Sequence, residues 1–439
     1  MMQAGPTPRA ASAPGHLASL DGLRSVAIMS VVGLHVAGAT GLTSADGLLW
    51  RMLANGGIGV SIFFALSGFL LYRPFARATL DGGSMPGVRD YLLRRALRIL
   101  PAYWLMLVFV LPAFNREEAR DPVVWLQMLT LTHNYDFHPP WPLGGVGLPA
   151  LGPVWSLSVE ATFYLVLPLL ALGLRRFSRG SLRRLLLGLG VLGVLSLLET
   201  LTMRYLEYFG ASLGGDPFRL LFYNERLLPR SLMFFVLGMA MAVLAQRPNR
   251  VRDAFGSAPG ASWTVAACAL ALMSTPLATP LYGGQSAHQY LVHNLLSLVI
   301  VVATVAPVAF APEGHLVRMI LAGPLMCRLG LISYGVFLWH SPVIELWYAL
   351  TGRPQYLGDF WLVLGVTVVF SLMLASLSHL FVEAPAQRFG RRRQQERRRQ
   401  DAQKGREPFS EQRVHVGRAA EAQASGQRGG EGRQTHQGG

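Results

Sequence analysis

Apolar residues in this chain gather into blocks close to the ~20 residues that carry a helix across a hydrocarbon layer, separated by short polar loops. The blocks run Leu23 to Leu42, Ile58 to Tyr72, Ile99 to Phe114, Val154 to Leu174, Leu182 to Leu201, Leu227 to Ala245, Trp263 to Tyr282, Tyr290 to Phe310, Gly330 to Leu350 and Phe360 to Phe381. They predict an all-α polytopic membrane protein with about ten transmembrane helices, the second and third of them short. Leu316 to Met326, interrupted by Arg318 and Pro324, reads as an interfacial or re-entrant piece rather than a further span.

The arginines orient this pattern, because positive residues in short loops are retained on the cytoplasmic side. With the N-terminus inside, the cytoplasmic loops hold Arg73, Arg77, Arg89, Arg94, Arg95 and Arg98, then Arg175, Arg176, Arg179, Arg183 and Arg184, then Arg247, Arg250 and Arg252, then Arg318 and Arg328. In the opposite loops Arg116 and Arg120 sit among Glu117, Glu118 and Asp121. An even number of spans returns the chain to the cytoplasm, so both termini are expected there. Residues 1–18, rich in Pro, Ala and Ser, lack the apolar core of a cleavable signal and read as a disordered tail, with the first span as an uncleaved insertion signal. Residues 19–385 form the membrane domain, and the basic residues 386–439 cannot bury a core and are expected to be disordered.

Composition narrows the picture further. Of 439 residues, 51% are hydrophobic and 14% charged, which excludes an ordinary soluble fold. The net charge of +15 is accounted for by loop retention and attraction to anionic lipid headgroups, so membrane lipids are the expected partners of the basic residues and nucleic acid is not. Cys268 and Cys327 form no disulfide framework.

Candidate chemistry lies with the titratable groups inside the blocks, which are costly there and functional by default. They are His35, Glu160, His340, Glu345 and His379, with Glu199 near a span end. His35 follows Arg24 by eleven residues, about three helical turns and ~16 Å of rise, so the two share a face, Arg24 at the cytoplasmic mouth and His35 deep above it. The same arithmetic places Glu160 and Glu345 near the depth of His35 and His340 near the midplane. Two carboxylates and a histidine at one depth can make an acid/base site, or they are interhelical hydrogen bonds holding the bundle. Arg95 and Arg98, three apart, present two guanidinium forks suited to phosphate, though any cytoplasmic boundary carries such arginines. With Arg24 on the same side, they predict a mouth that holds a phosphate-bearing donor whose flexible arm reaches His35. No metal site is expected.

The segments LDGLRSVAIMSVVGLH, GVSIFFALSGFLL, RRALRILPAYW, VWSLSVEATFYLVLP, ISYGVFLWHSPV and VEAP follow one another over about residues 19 to 385. In this order they resemble acyltransferase family 3, bacterial membrane O-acyltransferases that modify surface sugars. The resemblance implies an integral protein of the bacterial cytoplasmic (inner) membrane that takes an acyl group, expected to be acetyl, from cytoplasmic acyl-CoA (acetyl-CoA). The acceptor is a hydroxyl of a sugar, glycolipid or cell-surface polysaccharide; a secondary metabolite such as a macrolide is the alternative. By the same resemblance His35 is the catalytic histidine, Arg24 its motif arginine, and Arg95 with Arg98 the donor-binding pair. Glu160, the acidic residue of the Trp-Ser-Leu motif, is read as catalytic beside His35; many relatives have two consecutive glutamates there, whereas Ala161 follows here and leaves Glu160 as the only carboxylate to do that work. Ser61 stands where relatives are often acidic. Ser67 and Gly68 are read as close-packing positions rather than nucleophiles, and Ser67, His340 and Glu345 as possible supporting residues.

The implied mechanism is direct transfer with neutral His35 as general base, an acyl-histidine being the competing route. Some relatives carry an extra extracytoplasmic hydrolase-like domain, and the polar tail after Ala386 is expected to be too short for one. The loop Asn115 to Pro153, with His133, Asp136, His138 and Trp141, is read as an acceptor-facing surface or an interfacial aromatic belt. A non-enzymatic alternative is a proton-coupled transporter or exporter using the same intramembrane histidines and carboxylates.

Overall fold

The computed structural model describes residues 18–136, 148–210, 224–280, 284–312 and 315–404. His138 and Trp141 lie outside them. The chain divides into two units, Met1–Glu383 and Ala384–Gly439.

Among the described residues the first unit is built from helices: α1 (Ala18–Ala39), α2 (Leu48–Ala54), α3 (Ile58–Leu80), α4 (Val88–Phe114), α5 (Pro122–Leu129), α6 (Trp155–Ser178), α7 (Leu182–Gly210), α8 (Leu228–Leu244), α9 (Arg250–Ser257), α10 (Pro259–Met273), α11 (Ala287–Phe310), α12 (Leu316–Leu321), α13 (Pro324–Thr351) and α14 (Phe360–Ser378). A π-helical turn over His379–Glu383 ends it. Every apolar block of the sequence contains a helix. By length and composition, eight helices of the described residues qualify as membrane spans, or nine if the pair α9 and α10, bent by 83°, is one span; the 17 residues of α8 fall short. The second unit begins with the helix α15 (Ala384–Lys404). Its Arg- and Gln-rich sequence forms helix readily, so helix extends through 384–404 of the tail that composition marks as unable to bury a core.

The second and third spans are not short. α3 has 23 residues and α4 has 27, because both helices run past the apolar blocks into arginine-bearing turns. Long Arg side chains at helix ends reach the interface while their methylenes stay in apolar surroundings. The short helix α12 and the interruption between helices at Gly323, the N-cap of α13, occupy the segment read as interfacial or re-entrant.

Lipid offers little hydrophobic drive between helices, so contacts rely on close backbone approach. At Gly68 of α3 a methyl group would lie 2.1 Å from Phe235 O, and at Gly238 of α8 it would lie 1.9 Å from Ala65 O, so these helices meet backbone to backbone. Phe64 stacks on Phe235 at 4.6 Å, and Phe163 of α6 stacks on the same ring at 3.9 Å. At Gly330 a methyl would lie 1.8 Å from Asp21 O, which sets α13 tightly against α1. Large apolar side chains such as Phe109, Leu165, Leu169, Leu187 and Val369 stay exposed on the outer faces, as a hydrocarbon solvent permits.

Candidate active site

Two cavities adjoin inside the bundle. Val60 and Phe64 of α3 line both, and α1 supplies Arg24 to one and His35 to the other.

The first cavity, about 100 Å³, is cationic, with Arg24, Arg95 and Arg98 on its walls. Arg24 Nη1 donates to Asp21 Oδ1 at 2.9 Å. Arg95 Nε is buried with no hydrogen-bond partner among the described residues, an uncommon state for a charged group and one that an anionic ligand relieves. Glu160 faces these arginines. Ser67 Oγ and Tyr164 Oη both donate to its Oε1 at 2.6 Å. The close-packing role expected of Ser67 and Gly68 therefore belongs to Gly68 alone, while Ser67 holds the carboxylate. Glu383, in the π-helical turn, is buried and pairs with His379 at 3.5 Å; it lies within electrostatic reach of Arg98, and its Oε1 has no hydrogen-bond partner among the described residues.

The second cavity, about 330 Å³, holds His35. Its ring meets that of His340 from α13, His340 Nε2 to His35 Nδ1 being 3.1 Å. The carbonyl contacts of the two rings assign their tautomers, since a carbonyl oxygen only accepts. His340 Nδ1 lies 2.8 Å from Phe337 O and 3.1 Å from Val336 O, so it carries the proton and its Nε2 is the lone-pair nitrogen. His35 Nδ1 lies 2.9 Å from Val31 O as well as beside His340 Nε2, so it too is the protonated nitrogen. Neutral His35 is left with Nε2 as a lone-pair nitrogen that no described residue engages, on a ring lining the cavity. The arrangement is that of an oriented base: His340 accepts from Nδ1–H and fixes the ring, and Nε2 is available for a proton.

The carboxylates expected beside His35 are elsewhere. Glu160 lines the arginine cavity, and Glu345 accepts from Gln355 Nε2 at 2.8 Å near the end of α13. Helical rise gives the depth of a residue but not the direction in which its helix turns it. The true neighbour, His340, is five residues before Glu345 on the same helix.

Charged residues absent from the sequence list also line the second cavity. Glu225 and Arg226 precede α8, Arg230 is its third residue, and His293 and Asn294 come from α11. Tyr290 Oη donates to Glu225 Oε1 at 3.3 Å and accepts from Arg230 Nε at 3.4 Å. A capping box between Ser286 and Gln289 fixes the start of α11 and hence the height of Tyr290, His293 and Asn294. Arg230 and His293 lie inside apolar blocks, so the rule that intramembrane charge is functional reaches them; the basic Arg226 and Arg230 pass more easily for a loop boundary. In the loop read as acceptor-facing, Asp136 accepts from Gln127 at 2.8 Å, and His133 is close enough to Arg226 to feel its charge. Ser61 lines the same cavity as His35. Cys268 and Cys327 are both free, and the described residues contain no group of three His, Cys, Asp or Glu able to hold a metal ion.

A family model described as an acyltransferase domain matches residues 17–376. A putative peptidoglycan O-acetyltransferase of Bacillus subtilis, YrhL, is 28% identical over 381 residues, covering 84% of this chain and 55% of that protein. The peptidoglycan O-acetyltransferase OatA of Listeria monocytogenes is 25% identical over 389 residues, covering 85% and 56%. A putative O-acetyltransferase of Staphylococcus aureus is 24% identical over 398 residues, covering 85% and 58%. The chain thus spans little more than half the length of these relatives. No solved structure matches it. With the family model covering most of its length and the motif residues gathered around two adjoining cavities, the chain belongs to the membrane acyltransferases of acyltransferase family 3.

Proposed function

We propose that this protein is a bacterial membrane O-acyltransferase that moves an acetyl group from cytoplasmic acyl-CoA to a carbohydrate hydroxyl, with His35 as general base. The observation that carries the reading is the contact of His35 Nδ1 with Val31 O and His340 Nε2, which leaves Nε2 unengaged among the described residues on a ring that lines a polar cavity adjoining an arginine-lined one. Similarity to O-acetyltransferases, two of them named for peptidoglycan, supports the acetyl group and the glycan acceptor. In this reading the bundle has ten membrane helices with both termini cytoplasmic, and the arginine cavity opens to the cytoplasm.

Arg24, Arg95 and Arg98 hold the donor's phosphates, and the thioester reaches the boundary at Val60 and Phe64. The acceptor O–H gives its proton to His35 Nε2 as the oxygen attacks the acyl carbon. The resulting imidazolium donates Nδ1–H to His340, which steadies the charge in a medium of low dielectric. The C–S bond breaks, and the departing sulfur takes the proton from Nε2, so the base is restored. Apolar walls at Val60, Phe64 and Phe337 limit water, which otherwise hydrolyses a thioester beside an activated base.

Comparison of surface glycans by mass spectrometry from wild-type cells and cells carrying His35→Ala tests this reading. Loss of one acetyl mass from a glycan is the expected result. Glycan profiles that stay the same, with the variant present in the membrane, contradict it.

A further inference from the structure

We infer that the cavity beside His35 is the acceptor site and that its wall of Glu225, Arg230 and Asn294, with Glu225 and Arg230 held by the Tyr290 hydroxyl, recognises a single sugar ring through its hydroxyls. The inference rests on the acyl-transfer reading above and assigns the acceptor a place in it.

Size and chemistry separate the two cavities. At about 330 Å³ the His35 cavity is near the lower end of the ~300–1,000 Å³ of small-molecule sites, room for one sugar ring rather than a long chain. The arginine cavity, at about 100 Å³, is smaller and lined by three arginines. Glu225 and Arg230 are bridged through the Tyr290 hydroxyl, and Arg226 lines the same cavity, so acceptor and donor groups of both signs stand side by side. A phosphate would meet the Glu225 carboxylate there, whereas a ring bearing several hydroxyls both donates and accepts.

Buried polar atoms in the lining lack partners among the described residues. Ser231 Oγ and His293 Nδ1 are both in that state, and buried groups of this kind ordinarily find a partner in protein, water or ligand. Trp155 supplies an aromatic face of the kind on which sugar rings rest. Its backbone is fixed from above, since Asn134 Nδ2 donates to Trp155 O at 2.9 Å and to Arg226 O at 2.8 Å. His35 lines the same cavity, so a ring held there by Glu225 and Arg230 can present one hydroxyl to Nε2.

The test is calorimetric binding to the full-length protein in nanodiscs, with chitopentaose and maltopentaose as neutral glycan probes and erythromycin as a macrolide probe. Acetyl transfer from acetyl-CoA is followed on the same samples. Wild type is expected to bind at least one glycan, and both Glu225→Gln and Tyr290→Phe to weaken that binding at least tenfold. Tyr290→Phe keeps the ring and its packing, so its effect does not depend on misfolding. Glycan binding unchanged in both variants, no binding of either glycan by wild type, or binding of erythromycin alone overturns the assignment. Wild type that binds glycan with this dependence yet transfers no acetyl group contradicts the catalytic reading and leaves the cavity a glycan site.

Discussion

His340 Nε2 lies 3.1 Å from His35 Nδ1, and the carbonyls of Val31, Val336 and Phe337 leave one assignment of protons in which both rings are neutral. His340 thereby does for His35 what a carboxylate does for many catalytic histidines, with no buried negative charge. Removing it frees the His35 ring to turn and deprives the imidazolium of its acceptor. His340→Ala is expected to lower kcat for acyl transfer about 100-fold while the half-saturating acyl-CoA concentration stays the same. A fall confined to donor affinity counts against this role.

The arginine cavity makes the opposite expectation. Arg98 lines it beside Arg95, whose Nε has no hydrogen-bond partner among the described residues, and charge-assisted hydrogen bonds to phosphate are worth about 1.5–3 kcal/mol each. Arg98→Ala is expected to raise the half-saturating acyl-CoA concentration about tenfold or more, with Arg98→Lys recovering part of the loss because it restores charge without the fork. Steady-state kinetics against acyl-CoA concentration measure both.

Glu160 is the carboxylate that shares a cavity with these arginines, held by Ser67 and Tyr164. Glu160→Gln keeps the shape and removes the balancing charge, leaving the arginines to repel one another. The variant is expected to have a lower Tm than wild type without ligand and a larger rise in Tm on adding CoA. Differential scanning fluorimetry with and without CoA shows whether the two effects occur together.

His133, in the loop after α5, has its pKa pushed down to about 4, first by burial and then by the Arg226 charge. Its unfolded value is ~6.5, so as the pH falls from about 6.5 to about 4 the unfolded chain takes up a proton that the folded protein does not. Stability from this group is full above pH ~6.5 and falls with acidification, by up to about 3 kcal/mol below pH 4. Tm measured between pH 7 and pH 5 is expected to fall more steeply for wild type than for His133→Asn. Identical slopes contradict the assignment.

Much of this architecture is legible in the sequence because a bilayer demands apolar helices, and each apolar block does contain a helix. Arg24 and His35 were visible for a related reason: both stand out against an apolar run on a single helix, where spacing fixes their relation. Pairing between helices is another matter. The partner of His35 depends on how α13 is rotated against α1, and that rotation is set by the backbone contact of Gly330 with Asp21, which no count of residues along one helix contains. The bridge of Glu225, Tyr290 and Arg230 joins the approach to α8 and its first turn with the first turn of α11, so Tyr290 is 60 and 65 residues from its partners and in another block. The hydrogen bond from Ser67 to Glu160 is out of reach for a simpler reason, since a small residue beside glycine fits a packing motif equally well.

The central claim is that His35 Nε2 takes the acceptor proton. Its most direct test is acetyl transfer from labelled acetyl-CoA to glycan by the purified full-length protein in nanodiscs, comparing wild type with His35→Ala while CoA binding is measured on the same samples. The account predicts that transfer falls by about 100-fold or more with CoA binding intact; transfer at the wild-type rate would contradict it.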